Sequence, residues 1–147
     1  MKDTIVIDLD GTLADVRHRR HLVAGKKRDY AAFHAKLSED TANDWCVELI
    51  RSFLANGLLV VIVSARPESC EAATRKWLER HGIPYHRLHL LRPDGDSTPD
   101  QDLKRNWLYS YGKDRILFVV DDRQKVVDMW RAEGVTCLQC DAWEEGK

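Results

Sequence analysis

No stretch of this 147-residue chain approaches the roughly twenty consecutive apolar residues that a membrane-spanning helix requires. Nor does the chain carry an excess of either charge. Its 23 Lys and Arg against 24 Asp and Glu leave a net charge of −1, so a polyanion would have to be met by a local patch. The four cysteines are too few for a disulfide scaffold at this length. Cys137 and Cys140 form a lone C-x-x-C, with neither a second pair nor a histidine at ligand spacing. Structural zinc needs four ligands, so these read as small apolar residues in or beside the last strand. There is no internal repeat, linker or low-complexity segment, and no G-x-x-x-x-G-K-[ST] phosphate loop, so no kinase half is expected. The chain opens on a charged pair and a strand, unlike a signal peptide, which makes the cytoplasm the expected compartment and excludes a membrane partner from the reading.

What remains is a chain of 44% hydrophobic and 32% charged residues, enough to build a core in one domain of 1–147. Short apolar runs rich in Val and Ile at 4–9, 58–63 and 116–120 read as buried parallel strands, with weaker candidates at 87–91 and 136–139. Helical patterns fill the gaps at 45–55, 67–81, 102–111 and 124–133, and Gly57, Gly82, Gly112 and Gly134 follow them as stop signals. This alternation predicts an α/β fold, a Rossmann-like three-layer sandwich around a central parallel sheet. Residues 14–44 break the pattern and read as a small cap-like insertion after the first strand. It carries the basic run Arg17, His18, Arg19, Arg20, His21, then Lys26, Lys27 and Arg28. That run is either a solvated face or a contact for the phosphates of a nucleotide chain. Four of the five tryptophans, 45, 77, 107 and 130, fall in predicted helices, where core packing is the expectation. His81, His86 and His89 read as structural or surface residues.

In an open α/β sheet, ligands bind beyond the carboxyl ends of the strands. Strand one ends in Asp8-Leu9-Asp10-Gly11-Thr12, strand two in Ser64-Ala65-Arg66, and strand three in Asp121-Asp122-Arg123. Four carboxylates on one edge repel unless a cation holds them, and an all-oxygen site with few ligands suits Mg²⁺. Residues two apart on a strand point the same way, so Asp8 and Asp10 should address one small volume. Gly11 permits the tight turn and Thr12 can hydrogen-bond locally within it. One carboxylate is free to attack phosphorus, and the other can exchange protons with the leaving oxygen and the attacking water. Ser64 and Arg66 make a hydroxyl–guanidinium pair suited to a phosphate oxygen.

The I-V-I-D-L-D-G-T of 5–12, a strand ending in Ser64, Lys104 near a helix start and the V-V-D-D of 119–122 together resemble the haloacid-dehalogenase (HAD) phosphohydrolases, in that family's order. Residues 74–84, 92–104 and 121–137 are further similar to the 3′-phosphatase domain of phage-type polynucleotide kinase/phosphatase. The resemblance implies Asp8 as nucleophile and Asp10 as general acid/base, its backbone carbonyl also on the metal. It implies Ser64 on a phosphate oxygen, Lys104 neutralising the nucleophile and the phosphate, and Asp121 and Asp122 holding Mg²⁺. Thr12, Arg19, Arg66 and Asp100 are expected on the substrate side, although Asp100, beside Pro99, could equally cap a helix. The implied substrates are 3′-phosphorylated DNA or RNA ends or nucleoside 3′-phosphates. Two rivals stand beside this expectation: a HAD phosphatase of small nucleotides or other metabolites, and a catalytically silent module that docks nucleic-acid ends.

Overall fold

The computed structural model describes residues 1–142. Seven strands and five α-helices follow in chain order: β1 (Thr4–Ile7), β2 (Ala14–Asp15), α1 (Tyr30–Ala35), β3 (Thr41–Ala42), α2 (Asp44–Ala55), β4 (Leu59–Pro67), α3 (Glu71–Arg80), β5 (Arg87–Arg92), α4 (Asp100–Tyr111), β6 (Ile116–Asp121), α5 (Gln124–Ala132) and β7 (Cys137–Gln139). Five strands form one sheet in the order β5-β4-β1-β6-β7, with every neighbouring pair parallel.

Period-two alternation builds the three layers. Ile5, Ile7, Val60, Ile62, Phe118 and Val120 turn to one face and pack under α2 and α3, against Cys46, Ile50, Trp77 and Leu78. Val6, Val61, Val63 and Val119 turn to the other face and meet α4 and α5 through Trp107, Leu108, Val127 and Trp130. Both faces of the central strands are therefore apolar, which is why they read as continuous hydrophobic runs.

The chain leaves β1 toward β4 and β5, then returns across the sheet to β6 and β7 on the other side of β1. That reversal opens a crevice at the carboxyl ends of β4, β1 and β6, the position where open α/β sheets bind ligands. Ile7 pairs with Ile62 on one side and Val120 on the other. One step further, Asp8 stands level with Val63 and Asp121.

Several boundaries differ from the sequence reading. Pro67 ends a strand and does not open a helix. β4 runs on through Ser64-Ala65-Arg66-Pro67, and α3 begins only at Glu71 after a 3₁₀ turn over Glu68–Cys70. A proline at a strand terminus costs no ladder hydrogen bond. The fourth helix starts two residues earlier than its pattern, at Asp100, with Pro99 at the capping position. Trp45 is exposed, because it stands in the first turn of α2 facing outward, whereas Trp77, Trp107 and Trp130 are buried as expected. Trp143 lies outside the described residues. His86 Nδ1 accepts a bond from the Val60 amide, and His81 packs against Trp77 with the rings tilted by 47°.

The insertion closes on itself through the antiparallel pairing of β2 with β3, which the sequence did not suggest. Between them lie a 3₁₀ turn at Arg20–Val23 and the two-turn helix α1, capped by the Asp29 side chain on the Ala32 amide. The fully buried Trp77 ties this insertion to α3 by donating its Nε1–H to the Asp40 carbonyl at 2.8 Å. Trp77→Phe should therefore cost about 2 kcal/mol in denaturant unfolding, from the void and the unpaired carbonyl together. A loss well under 1 kcal/mol would show that this bond does not fasten the insertion.

Candidate active site

The turn after β1 places the first two carboxylates. Amides of Gly11, Thr12, Leu13 and Ala14 bond back to carbonyls within Asp8–Ala14, closing a compact loop over the strand end. Gly11 adopts φ +83°, and a Cβ there would lie 2.0 Å from Asp122 Oδ2. Glycine is required at this position both for its backbone angle and for the room it leaves the facing carboxylate.

Asp8 is 7% exposed and lies between two groups. Its Oδ1 accepts from Lys104 Nζ at 2.9 Å, and its Oδ2 accepts from Thr12 Oγ1 at 3.4 Å. Lys104, buried in α4, reaches Asp121 Oδ2 at 2.8 Å with the same ammonium. Both oxygens of Asp121 are engaged. Its Oδ2 also accepts from Trp130 Nε1 at 3.2 Å, and its Oδ1 accepts the Asp122 amide at 2.9 Å. Asp122 differs: Thr12 Oγ1 is 3.5 Å from its Oδ1, while its buried Oδ2 has no hydrogen-bond partner among the described residues.

Oxygens of Asp8, Asp121 and Asp122 lie within 4.8 Å of one another. A buried, unpartnered carboxylate oxygen beside two more carboxylates, in a hollow kept open by Gly11, fits a hard divalent cation. Asp122 Oδ2 is the unpartnered oxygen of the three residues, and Asp8 and Asp121, which share Lys104, each offer a further ligand oxygen. The Asp10 side chain does not join this cluster.

Asp10 instead faces two guanidiniums. Its Oδ1 accepts from Arg66 Nη2 at 2.6 Å, Arg66 Nε at 3.1 Å and Arg19 Nη2 at 2.8 Å. Burial works against its ionised form, but Arg66 and Arg19 overcome that and hold its carboxyl well below the usual carboxylate range. Asp8 is pushed the other way, upward, by burial first and then by Asp121, with Lys104 opposing. Burial and the charges of Asp8 and Asp121 likewise raise Asp122. In the absence of a cation, Asp10 thus holds its charge more readily than Asp8, because the arginines serve Asp10 while one lysine is shared between two aspartates.

Arg19, in the middle of the basic run, is fully buried at the site. What fixes it is Asp40, which the sequence reading missed. Asp40 receives Arg19 through Nε at 2.8 Å and Nη2 at 2.7 Å, and His18 Nε2 lies 2.6 Å from the same carboxylate. Nothing in Ser38-Glu39-Asp40 marks the third residue as different from an exposed acid. Ser64 is 2% exposed, and its Oγ accepts the Arg66 amide at 3.1 Å, which leaves its hydroxyl free to donate. Asp100 lies apart from the carboxylate cluster, at the start of α4. It pairs with Arg92 at 2.5 Å and with Arg123. Arg92 also donates to carbonyls of Ala65, Asp96 and Thr98 and so braces the loop before α4. The position of Arg123, directly after two acidic ligand candidates, was the available signal for that residue.

A family model described as the polynucleotide kinase PNKP phosphatase domain matches residues 2–144. A protein of Autographa californica nuclear polyhedrosis virus, named as a bifunctional polynucleotide kinase/RNA ligase, is 31% identical over 132 residues, covering 86% of this chain and 17% of that protein. A chain in the solved structure of a Pnkp1/Rnl/Hen1 RNA repair complex superposes with a TM-score of 0.76 at 27% identity, over 98% of this chain and 43% of that one. A haloacid dehalogenase-like hydrolase from Streptococcus pneumoniae shares the fold, with a TM-score of 0.66 at 15% identity over 99% of this chain and 87% of its own. The chain therefore spans less than half the length of the first two relatives.

The site generates two expectations. Gly11→Ala should lower divalent-cation affinity and phosphatase turnover together, each by about tenfold or more, because the methyl group displaces Asp122; an unchanged cation affinity by calorimetry would contradict the assignment of Asp122 Oδ2. The second concerns pH. Asp8 and Asp122 bind protons more tightly folded than unfolded, so their contribution to stability is complete below the ordinary carboxylate pKa and is lost as pH rises through the raised values. In chelator, the Tm should fall from about pH 5 to about pH 8, and saturating divalent cation should flatten that slope.

Proposed function

The chain belongs to the family of the polynucleotide kinase PNKP phosphatase domain, and from that premise we propose that it removes 3′-phosphates from nucleic-acid ends or nucleoside 3′-phosphates through an aspartyl-phosphate on Asp8. It is a phosphatase of the haloacid-dehalogenase type. The observation that carries the mechanism is the placement of Asp8: a buried carboxylate at the topological switch point, with one oxygen on Lys104, clustered with Asp121 and with Asp122, whose buried Oδ2 is unpartnered among the described residues.

In the first step, an Asp8 oxygen attacks phosphorus and the bond from phosphorus to the sugar 3′-oxygen breaks, with the leaving oxygen taking a proton from Asp10. In the second, Asp10 takes a proton from water, the water oxygen attacks phosphorus, and the Asp8–phosphorus bond breaks to give inorganic phosphate. Asp10 as clamped by Arg66 and Arg19 is ionised, ready for the second step. The dianionic phosphate of a bound substrate competes for those guanidiniums, and as they turn to it Asp10 becomes protonable for the first. Ser64 and Thr12 supply hydroxyls to the phosphoryl oxygens, and Lys104 balances charge as Asp8 passes from carboxylate to acyl phosphate. Mg²⁺, which Asp8, Asp121, Asp122 and the Asp10 carbonyl would hold, would neutralise charge on the transferring phosphoryl group. Asp100 acts at a distance, by fixing Arg92 and Arg123 along the edge of the crevice.

The substrate reading is supported by the family and by the relatives, whose names pair polynucleotide kinase with RNA ligase and place a related chain in an RNA repair complex. A kinase and a ligase acting on the same ends are the corresponding partners. Initial rates on oligonucleotides bearing a 3′-phosphate or a 5′-phosphate, and on a mononucleotide panel, test it: the 3′-phosphate should be preferred, and preference for the 5′ end overturns the reading. Asp8→Asn should lower kcat by about four orders of magnitude with the fold intact; retained turnover in purified protein would remove Asp8 as nucleophile, and a wild-type protein inert on every phosphomonoester would leave only a binding module.

A further inference from the structure

The charge of the chain is not spread evenly. Between Arg17 and Lys36 stand seven Lys or Arg and a single acidic residue, Asp29, a net +6; with −1 for the whole chain, the remaining 127 residues carry −7. The near-neutral total conceals a strongly basic segment on an acidic body.

The two ends of that segment have different fates. Arg17 is neutralised by Asp15, with its Nη2 at 2.5 Å and its Nε at 3.0 Å from the carboxylate, and Arg19 is buried on Asp10 and Asp40. Lys26 and Lys27 are exposed and make no ion pair among the described residues. They stand at the tip between the 3₁₀ turn and α1, three and four residues before Tyr30.

Helix α1 connects that tip to the catalytic crevice. Arg19 pins it there: Nη1 donates to the Phe33 carbonyl at 3.1 Å, and the guanidinium lies 4.1 Å over the Phe33 ring. The next residue, His34, is half-buried beside that anchor, and the charges of Asp10, Arg19, Arg66 and Arg92 all act on it. Its Nδ1 is buried without a hydrogen-bond partner among the described residues. One turn back toward the tip, the Tyr30 ring lies 6.4 Å from that of His34 at an interplanar angle of 28°, and it is 42% exposed. An imidazole, a phenol ring and two unpaired lysines thus follow one another outward from the reacting carboxylates.

We propose that His34, Tyr30, Lys27 and Lys26 form the track for the single-stranded nucleic-acid segment that ends in the scissile phosphate, with terminal bases stacking on the two rings and the preceding backbone phosphates on the lysines. The proposal rests on the polynucleotide reading above and extends it from the phosphate to the chain behind it. Aromatic faces accept any base, and free ammonium groups neutralise backbone phosphates whatever the sequence, so the track recognises a strand and not a sequence. Burial lowers the His34 pKa, which keeps the ring neutral for stacking.

The test uses the full chain and a fluorescein-labelled single-stranded oligonucleotide ending in a 3′-hydroxyl, followed by anisotropy across a salt series. Lys26→Ala/Lys27→Ala should weaken binding and lower the slope of log K against log salt by about 1.4. Tyr30→Ala/His34→Ala should weaken binding by about tenfold or more without changing that slope. In both variants, kcat/KM on a 3′-phosphorylated oligonucleotide should fall relative to kcat/KM on p-nitrophenyl phosphate. Wild-type affinity and slope in both variants, or equal losses on the two substrates, overturn the track, as does a wild-type chain that binds no oligonucleotide. A wild-type preference for another phosphomonoester, with oligonucleotide binding still lost in the variants, overturns the 3′-phosphatase reading and leaves the track standing.

Discussion

Four carboxylates, Asp8, Asp10, Asp121 and Asp122, converge where three parallel strands end, and their mutual repulsion is the constraint that the surrounding structure resolves. Like charges taken out of water cannot remain ionised together without counter-charges of matching geometry. The fold supplies those unevenly. Lys104 bridges Asp8 and Asp121. Two guanidiniums converge on Asp10. Asp122 alone keeps a buried oxygen with no partner among the described residues. This unevenness makes four similar residues chemically different, and it leaves room for an external cation beside Asp122.

The same constraint explains why the insertion is fastened so firmly at its inner end. A buried arginine serving Asp10 would itself be costly to desolvate. Asp40 balances Arg19, and the Asp40 backbone is in turn held by Trp77 from α3. The chain of contacts from Asp10 to Arg19, Asp40 and Trp77 couples the Asp10 carboxylate to the hydrophobic core. Phe33 extends that coupling to α1, so the aromatic and basic outer part of the insertion is positioned by the residues that tune the chemistry. Breaking one member of such a network strands a buried charge, which costs more than the pair contributes when intact.

Away from that cluster, Asp100 shows how the same residue type serves a different purpose. Flanked by Arg92 and Arg123, it is part of an ion-pair group that joins the ends of β5 and β6 to the start of α4, the helix that carries Lys104. Lys104 stands one helical turn after Asp100, so fixing the start of α4 fixes the reach of the lysine into the carboxylates.

Period-two and helical patterning determined the layered sheet, because the central strands bury both faces and only apolar runs tolerate that. Local spacing likewise determined that Asp8 and Asp10 leave the same strand end, and the motif order, read through a resemblance, placed Ser64, Lys104, Asp121 and Asp122 around them. What the sequence left open were relations between residues distant along the chain. Arg19 could not be told from its basic neighbours until the fold brought Asp40 and Asp10 to it. The direction of the Asp10 side chain, toward arginine and not toward the other carboxylates, depends on β4 continuing past Ser64 to present Arg66. The difference between Asp121 and Asp122 rests on Lys104 and Trp130 arriving from two separate helices. Hydrophobic periodicity is a property of neighbouring residues and is legible in order. The sharing of counter-charges is a property of three-dimensional proximity, and only the packed chain decides it.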